Sequence, residues 1–368
     1  MKKLLYLTHL SGKRLNRFWL SSIQACNELG YEFHLACNMK EAEHPFWDRE
    51  CAKHGVITHQ IDFNRKPLNP ENITAAKQLT KLLTSECFDI IHCNTPVGGL
   101  IGRICAKKAK VPKVIYQAHG FHFWNGAPLI NWIVFYPVER LLAHKTDVLI
   151  TINKEDYERA KKFKAKEIIS IPGVGIDTDL FCGRKTKADL LRQEFGIPAD
   201  AVILLSVGEL IKRKNHRMVI EALRDLDNIW YVICGKGPLL EKYRDLVRKL
   251  GIEKRVVLAG YRTDITSFYD MADLFVLPSY QEGLSVALME AMASGLACIV
   301  SDIRGNKDLI ENNDYRFPPN NKKRFGFILR KTTADPKALI SEGIKNRKII
   351  KKYRTEIVSS GLKAIYKE

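Results

Sequence analysis

Apolar residues along the chain fall into short runs separated by stretches of helical spacing. Runs at 3–7, 33–37, 57–62, 90–93, 114–118 and 148–152 have the length and composition of buried strands. Between most of them lie helical patterns: 17–29, closed by Gly30; 74–83; and 96–109, opened by Pro96. The pattern then repeats, with strand-like runs at 203–207, 230–234, 256–259, 274–277 and 298–300. Strands alternating with helices predict parallel sheets covered on both faces. The segment IPGVGIDTDLFCG, residues 171–183, interrupts the periodicity and places a boundary there. This predicts a first domain over 1–170 and a second over 171–349. A last helix, 350–368, has apolar Ile357, Leu362, Ile365 and Tyr366 at helical spacing.

The densest chemistry lies at 273–306, DLFVLPSYQEGLSVALMEAMASGLACIVSDIRGN. Pro278 stops the strand, Gly283 permits a tight turn, and Ser285 is placed to cap a helix using Val286, Leu288, Met289 and Met292. Gly295 ends that helix. A helix opening on a glycine-bearing loop after a strand offers free N–H groups and a positive dipole end to an anion such as diphosphate. Glu282 at the loop tip and Glu290 about two turns on are suited to accept hydrogen bonds from sugar hydroxyls. The plainer reading makes them a solvated turn residue and an exposed helix residue. In doubly wound sheets ligands bind at the carboxyl ends of strands, so other loops there count too. SVGELIKRKNH supplies Gly208, Lys212, Arg213 and Lys214; CGKGP supplies Gly235; AGYRTD supplies Arg262; and VIYQAHGFHFW supplies His119 and His122. No carboxylate or cysteine sits at ligand spacing from the two histidines, so a metal site is not expected there.

Charge adds a second theme. The chain of 368 residues carries 59 Lys and Arg against 41 Asp and Glu, a net charge of +18. The excess lies in 1–170, with 25 basic and 16 acidic residues, and in 322–368, with 14 and 4. Such a surface attracts nucleic acid or anionic membrane. No nucleic-acid-binding motif accompanies it, so an anionic membrane surface is the expected partner. Residues 121–136 concentrate Phe121, Phe123, Trp124, Trp132, Phe135 and Tyr136, which suits either a core helix or an interfacial belt. No run reaches the ~20 apolar residues of a membrane span. The nine scattered cysteines contain no C-x-x-C pair and read as reduced thiols in a cytoplasmic protein.

PSYQEGLSVALMEAMASGLACIVSD resembles the E-x7-E signature of family 4 retaining glycosyltransferases. SVGELIKRKNH resembles their G-R-L-x-x-x-K-G segment, with Lys214 on the Lys position, Asn215 replacing Gly and Glu209 replacing Arg. The resemblance implies a GT-B fold: an α/β protein of two Rossmann-like doubly wound domains facing across a cleft, the last helix packing back on the first. It implies retaining transfer from a nucleoside-diphosphate sugar, with UDP as the expected nucleotide, and no metal or other cofactor. Lys214 and Arg213 then neutralise the diphosphate beside Gly283, Leu284 and Ser285, Glu282 holds the donor sugar and Glu290 the ribose. His119 contacts the transferred sugar, while Gly208, Gly235 and Arg262 line the nucleotide. Gly12 stands where relatives carry a glycine pair, with Lys13 and Arg14 beside it; a solvated basic turn reads equally well. The look is closest to exopolysaccharide and capsule enzymes, implying a lipid-linked or saccharide acceptor at the cytosolic face of the membrane. Two other readings stay open: a GT-B nucleotide-sugar epimerase, and a noncatalytic nucleotide-sugar- or membrane-binding subunit, which the Glu209 substitution allows.

Overall fold

The computed structural model describes residues 1–11, 17–181 and 187–368, without the side chains of Arg17 and Phe18. Gly12, Lys13 and Arg14 of the basic turn lie outside the described residues. The chain divides into two compact units, Met1–Gly175 with Thr355–Glu368, and Ile176–Arg354.

In the first unit seven parallel strands form one sheet: β1 (Lys3–Leu10), β2 (Glu32–Asn38), β3 (Ile57–Gln60), β4 (Ile90–Asn94), β5 (Lys113–Ala118), β6 (Val148–Thr151) and β7 (Glu167–Ser170). Their order is β3-β2-β1-β4-β5-β6-β7. The central strands are almost wholly buried because helices cover both faces, which is why they read as unbroken apolar runs. β7 at the sheet edge is only half-buried, EIIS with exposed ends, and carries no comparable run. It joins the first unit, and Ser21 Oγ donates to the Val174 carbonyl at 3.0 Å, so the division falls after Gly175.

The second unit repeats the plan with β8 (Val202–Val207), β9 (Ile229–Cys234), β10 (Val256–Gly260), β11 (Leu274–Leu277), β12 (Ala297–Ser301) and β13 (Arg316–Phe317). The order is β10-β9-β8-β11-β12-β13. In each sheet the winding direction reverses beside the first strand, between β1 and β4 and between β8 and β11. Ligand-binding crevices open at such switch points, and the chemistry-bearing loops follow β4, β5, β8 and β11.

The chain's last helix, Thr355–Lys367, returns to the first unit and packs along helix Arg17–Leu29. It buries Val358, Leu362, Ile365 and Tyr366, and the Tyr366 hydroxyl lies 2.6 Å from His92 Nδ1 on β4. The helix therefore completes the first core. The described cysteines are all free, and all but Cys87 are buried. No helix among the described residues is long and apolar enough to cross a membrane.

Helix Leu129–Ala143 refines the expectation for 121–136. Phe121 and Phe123 are buried in the first core, and Trp132, Phe135 and Tyr136 pack against it. Most of the helix's aliphatic residues face out instead, with Leu129 74% and Leu141 69% exposed and Ile130 and Ile133 similarly open, while Leu142 and Ala143 at its end are buried. Tight ring contacts explain the division: Phe121 stacks on Phe123 at 4.8 Å, and Phe123 meets Tyr136 edge-on at 5.3 Å.

Leu362→Ala should destabilise the first unit by about 2–5 kcal/mol, the usual cost of emptying a buried leucine site. Four of the five tryptophans lie in that unit, so urea unfolding followed by tryptophan fluorescence should show the earlier midpoint directly.

Candidate active site

Two loops of the second unit build the first constellation. After β8 the chain runs through Gly208 into a 3-10 turn, Lys212–Lys214, and Asn215 takes a left-handed conformation at φ 56° to launch helix His216–Ala222. After β11, Pro278 ends the strand and 279–285 lead into helix Val286–Ala293. Asn215 Nδ2 donates to the Pro278 carbonyl at 3.1 Å, and the Tyr280 N–H donates to the Arg213 carbonyl at 2.8 Å. These bonds bring the two loops together.

At their junction Lys214 Nζ donates to Glu282 Oε1 at 2.8 Å. Arg213 Nη1 lies 3.1 Å from Glu282 Oε2 and donates to the Gln281 carbonyl at 2.8 Å. Lys214 and Glu282 are both buried, 9% and 8% exposed, so the plain reading of Glu282 as a solvated turn residue does not hold. Burial alone would push the Glu282 carboxyl up, but Lys214 and Arg213 beside it outweigh that and hold it below its ordinary value. The carboxylate thus stays charged and keeps both cations in place.

Ser285 caps the following helix, its Oγ accepting from the Leu288 N–H at 3.4 Å. The segment Gly283–Leu284–Ser285 is fixed from behind: Arg304 Nε donates to the Glu282 carbonyl at 3.1 Å. A Cβ on Gly305, at φ 73°, would fall 2.0 Å from the Gly283 carbonyl oxygen, so only glycine allows that approach. Glu290 is also buried, and Tyr269 OH donates to its Oε2 at 2.9 Å. A helix-surface reading of Glu290 is therefore excluded.

The nucleotide-side candidates are placed by the same strands. Gly235 follows β9 and touches the loop after β8 so closely that a Cβ would meet the Gly208 carbonyl oxygen at 1.8 Å. Gly208 itself lies against the Lys214 stem. Arg262 follows β10, but its guanidinium is held by Asp264 through two bonds of 2.8 and 2.9 Å and lies 3.4 Å from Glu194. Glu209, on the departed position, is exposed.

The second constellation belongs to the first unit. His119 directly follows β5, and Asn94 ends the neighbouring β4; His119 Nε2 lies 2.8 Å from Asn94 Oδ1, so that nitrogen carries the proton. Burial lowers the His119 pKa to about 4, leaving a neutral imidazole. Beside it opens a cavity of about 730 Å³ lined by Trp19, Leu68, Phe121, Phe123, Val134 and Phe135 among others. His122 stacks on Phe135 at 4.5 Å and lines the same cavity. Sequence reasoning does not single out Asn94, Arg304 or Tyr269. Arg304 lies within the 273–306 string, whereas Asn94 and Tyr269 gain their meaning only from the neighbouring element. Among the described residues no group of three or more His, Cys, Asp and Glu is arranged to hold a metal ion.

Residues 187–355 match the model for glycosyl transferases group 1, and residues 15–180 the model for glycosyltransferase family 4. EpsD of Bacillus subtilis (strain 168), provisionally designated a glycosyltransferase, is 35% identical over 82% of this chain and 79% of its own. An Escherichia coli enzyme, the UDP-Gal:alpha-D-GlcNAc-diphosphoundecaprenol alpha-1,3-galactosyltransferase, is 32% identical over 71% of this chain and 73% of its own. Among solved structures, Anabaena HepE in complex with UDP-glucose superposes with a TM-score of 0.83 at 17% identity, covering 100% of both chains. WaaG, a glycosyltransferase involved in lipopolysaccharide biosynthesis, gives 0.74 at 17% identity over 98% of this chain and 99% of its own. At these identities the two structures establish the shared fold.

His216 is a buried imidazole next to Lys214 in the second unit. Its Nδ1 lies 2.9 Å from the Tyr231 hydroxyl, and burial, aided by Lys214, lowers its pKa to about 3. His119 and His216 both stay neutral in the folded chain while the unfolded chain takes up protons near the ordinary value of 6.5. Their contribution to stability is complete above pH 6.5 and is lost as pH falls towards 3–4. Each should remove about 1.4 kcal/mol per pH unit in that window. Urea titrations from pH 7 to 5 should show this slope, and His119→Gln or His216→Gln should each flatten it.

Proposed function

The chain belongs to the family 4 glycosyltransferases of the GT-B type, and from that premise we propose how it acts. It transfers a sugar from a nucleoside-diphosphate donor, with UDP as the nucleotide, onto a lipid-linked or glycan acceptor, with retention of configuration. The setting is assembly of a bacterial exopolysaccharide, capsule or lipopolysaccharide, in line with the relatives named above.

The observation that carries this reading is the Lys214–Glu282–Arg213 group, with Lys214 and Glu282 buried, at the carboxyl ends of β8 and β11, beside the helix capped by Ser285. Breaking the bond from the anomeric carbon to the diphosphate leaves positive charge on the sugar and negative charge on the leaving group. Fixed cations and backbone N–H groups aimed at that leaving group act most strongly where water is excluded. Lys214, Arg213 and the N–H groups at 283–285 take this role, so the diphosphate is bound by groups already in place. Glu282 acts in two ways, fixing the two cations and offering its remaining lone pairs to donor-sugar hydroxyls. Glu290, which also accepts from Tyr269, accepts from the ribose hydroxyls. The nucleotide sugar is a substrate, and no cofactor is assigned.

His119 enters as a neutral hydrogen-bonding group, its Nε2 proton directed to Asn94, and contacts the transferred sugar. The cavity beside it suits an apolar acceptor tail, and the exposed face of helix Leu129–Ala143 suits the interface of an anionic bilayer. Glu139 on that helix is paired with Arg103 at 2.8 Å, and Arg140, His144 and Lys145 near its end are exposed. Apolar side chains and nearby cations act together at a lipid surface, each cation adding about 1 kcal/mol.

The assay that tests this reading follows release of free nucleoside diphosphate from a panel of donors, with and without lipid extract. Lys214→Ala should lower turnover by roughly 10² or more at saturating donor, as loss of one preorganised donor does. Near-normal turnover in that variant would sink the electrostatic assignment. Membrane docking is tested by sedimentation with vesicles. Binding should require anionic lipid, weaken with salt, and fall in Ile130→Asp and Ile133→Asp; indifference to all three would leave a soluble glycan as the acceptor.

A further inference from the structure

A second concavity lies wholly within the second unit and takes no part in the chemistry above. It is a groove of about 530 Å³ bordered by helix Leu240–Leu250, the start of helix His216–Ala222, and Tyr280. Its size falls in the range of small-ligand sites, about 300–1,000 Å³.

Lys212, Arg217, Lys242 and Lys249 line it, with Asp245 as the single acid. The pairing of these charges is uneven. On helix Leu240–Leu250, Arg244 is matched by Glu241 at 2.7 Å, and Arg248 takes Asp245 at 2.5 Å. Arg217 is matched by Glu221 at 2.6 Å. Lys212, Lys242 and Lys249 have no such partner among the described residues. Lys242 and Lys249 stand two helical turns apart, so both lie on the helix face that carries Leu246. The floor is apolar and aromatic: Tyr243 is buried, Leu246 is half-buried, and Tyr280 is 38% exposed. A surface chain normally scatters its cations among acids; here the acids are spent on the arginines, and the lysines are left around one hollow.

The geometry points to a second, anion-binding site in this groove, for a saccharide bearing phosphate or carboxylate groups. Lysine ammonium groups at the rim meet the oxyanions as point charges. The tyrosine rings and Leu246 meet the apolar face of a sugar ring. A flat bilayer cannot enter a hollow of this size, and a nucleic acid duplex needs a longer basic track than one helix face. The groove also shares its wall with the donor loops. Lys212 stands two residues before Lys214, and Tyr280 two before Glu282, with the Tyr280 N–H on the Arg213 carbonyl. The saccharide assignment rests on the glycosyl-transfer reading; anion binding in the groove does not.

Calorimetry on the full chain tests this with two probes, inorganic tripolyphosphate and tetragalacturonate, each in the presence of saturating UDP. At least one probe should bind despite UDP, and Lys242→Ala/Lys249→Ala should weaken it about tenfold, the loss of two screened charge contacts. Lys77→Ala/Lys81→Ala, an equal change of charge in the first unit, should leave that affinity unaltered. Binding of tetragalacturonate assigns a carboxylated glycan, and binding of tripolyphosphate alone assigns a phosphorylated one. Absence of binding by both probes, equal loss in both double variants, or unaltered affinity in Lys242→Ala/Lys249→Ala overturns the site. UDP affinity is measured in the same variants, so a failure of the donor reading registers separately.

Discussion

The second unit's site depends on one buried carboxylate. Glu282 is the common partner of Lys214 and Arg213, residues that belong to a different βα loop. Withdrawing charge from water costs several kcal/mol per ion, and the attraction between partners roughly offsets it. The group therefore contributes shape more than net stability. It holds the loop after β8 against the loop after β11, and the Asn215 and Tyr280 bonds extend that join on either side. Arg304 and Gly305 press the same loop from the β12 side. With those restraints the N–H groups ahead of Ser285 have one direction in which to point.

Much of this is legible in the chain. Buried parallel strands show as unbroken apolar runs, so the central strands of both sheets can be read close to their observed bounds. Ser285, Gly283 and the strand-ending Pro278 speak through local backbone chemistry, which sequence carries well. β7 and β13 leave no such signal, because an edge strand half open to solvent needs no continuous apolar run. The orientation of helix Leu129–Ala143 is hidden for a different reason. Its residues are apolar on nearly every side, and only the ring contacts of Phe121 and Phe123 decide which of them turn inward.

Partnership is the level at which the sequence falls silent. The Lys214–Glu282 distance in the chain is 68 residues, and the Asn94–His119 distance is 25. Neither pairing follows from spacing; both follow from sheet order, which sets β8 beside β11 and β4 beside β5. Arg262 gives the same lesson in reverse. Its position at a strand end suggests a ligand contact, yet Asp264 two residues on already engages its guanidinium.

The return of the last helix bears on how the protein is made. The first unit is interrupted by the whole of the second and lacks Thr355–Lys367 until the second has been made. All of the second unit leaves the ribosome before those residues exist, so it is free to fold while the earlier-made unit waits. Helix Arg17–Leu29 must meanwhile keep an apolar flank unpaired across more than three hundred intervening residues, a closure with a high entropic cost. A nascent chain in that state presents sticky surface throughout the synthesis of the second unit. Chaperone demand during synthesis is thereby concentrated in the first unit rather than the second.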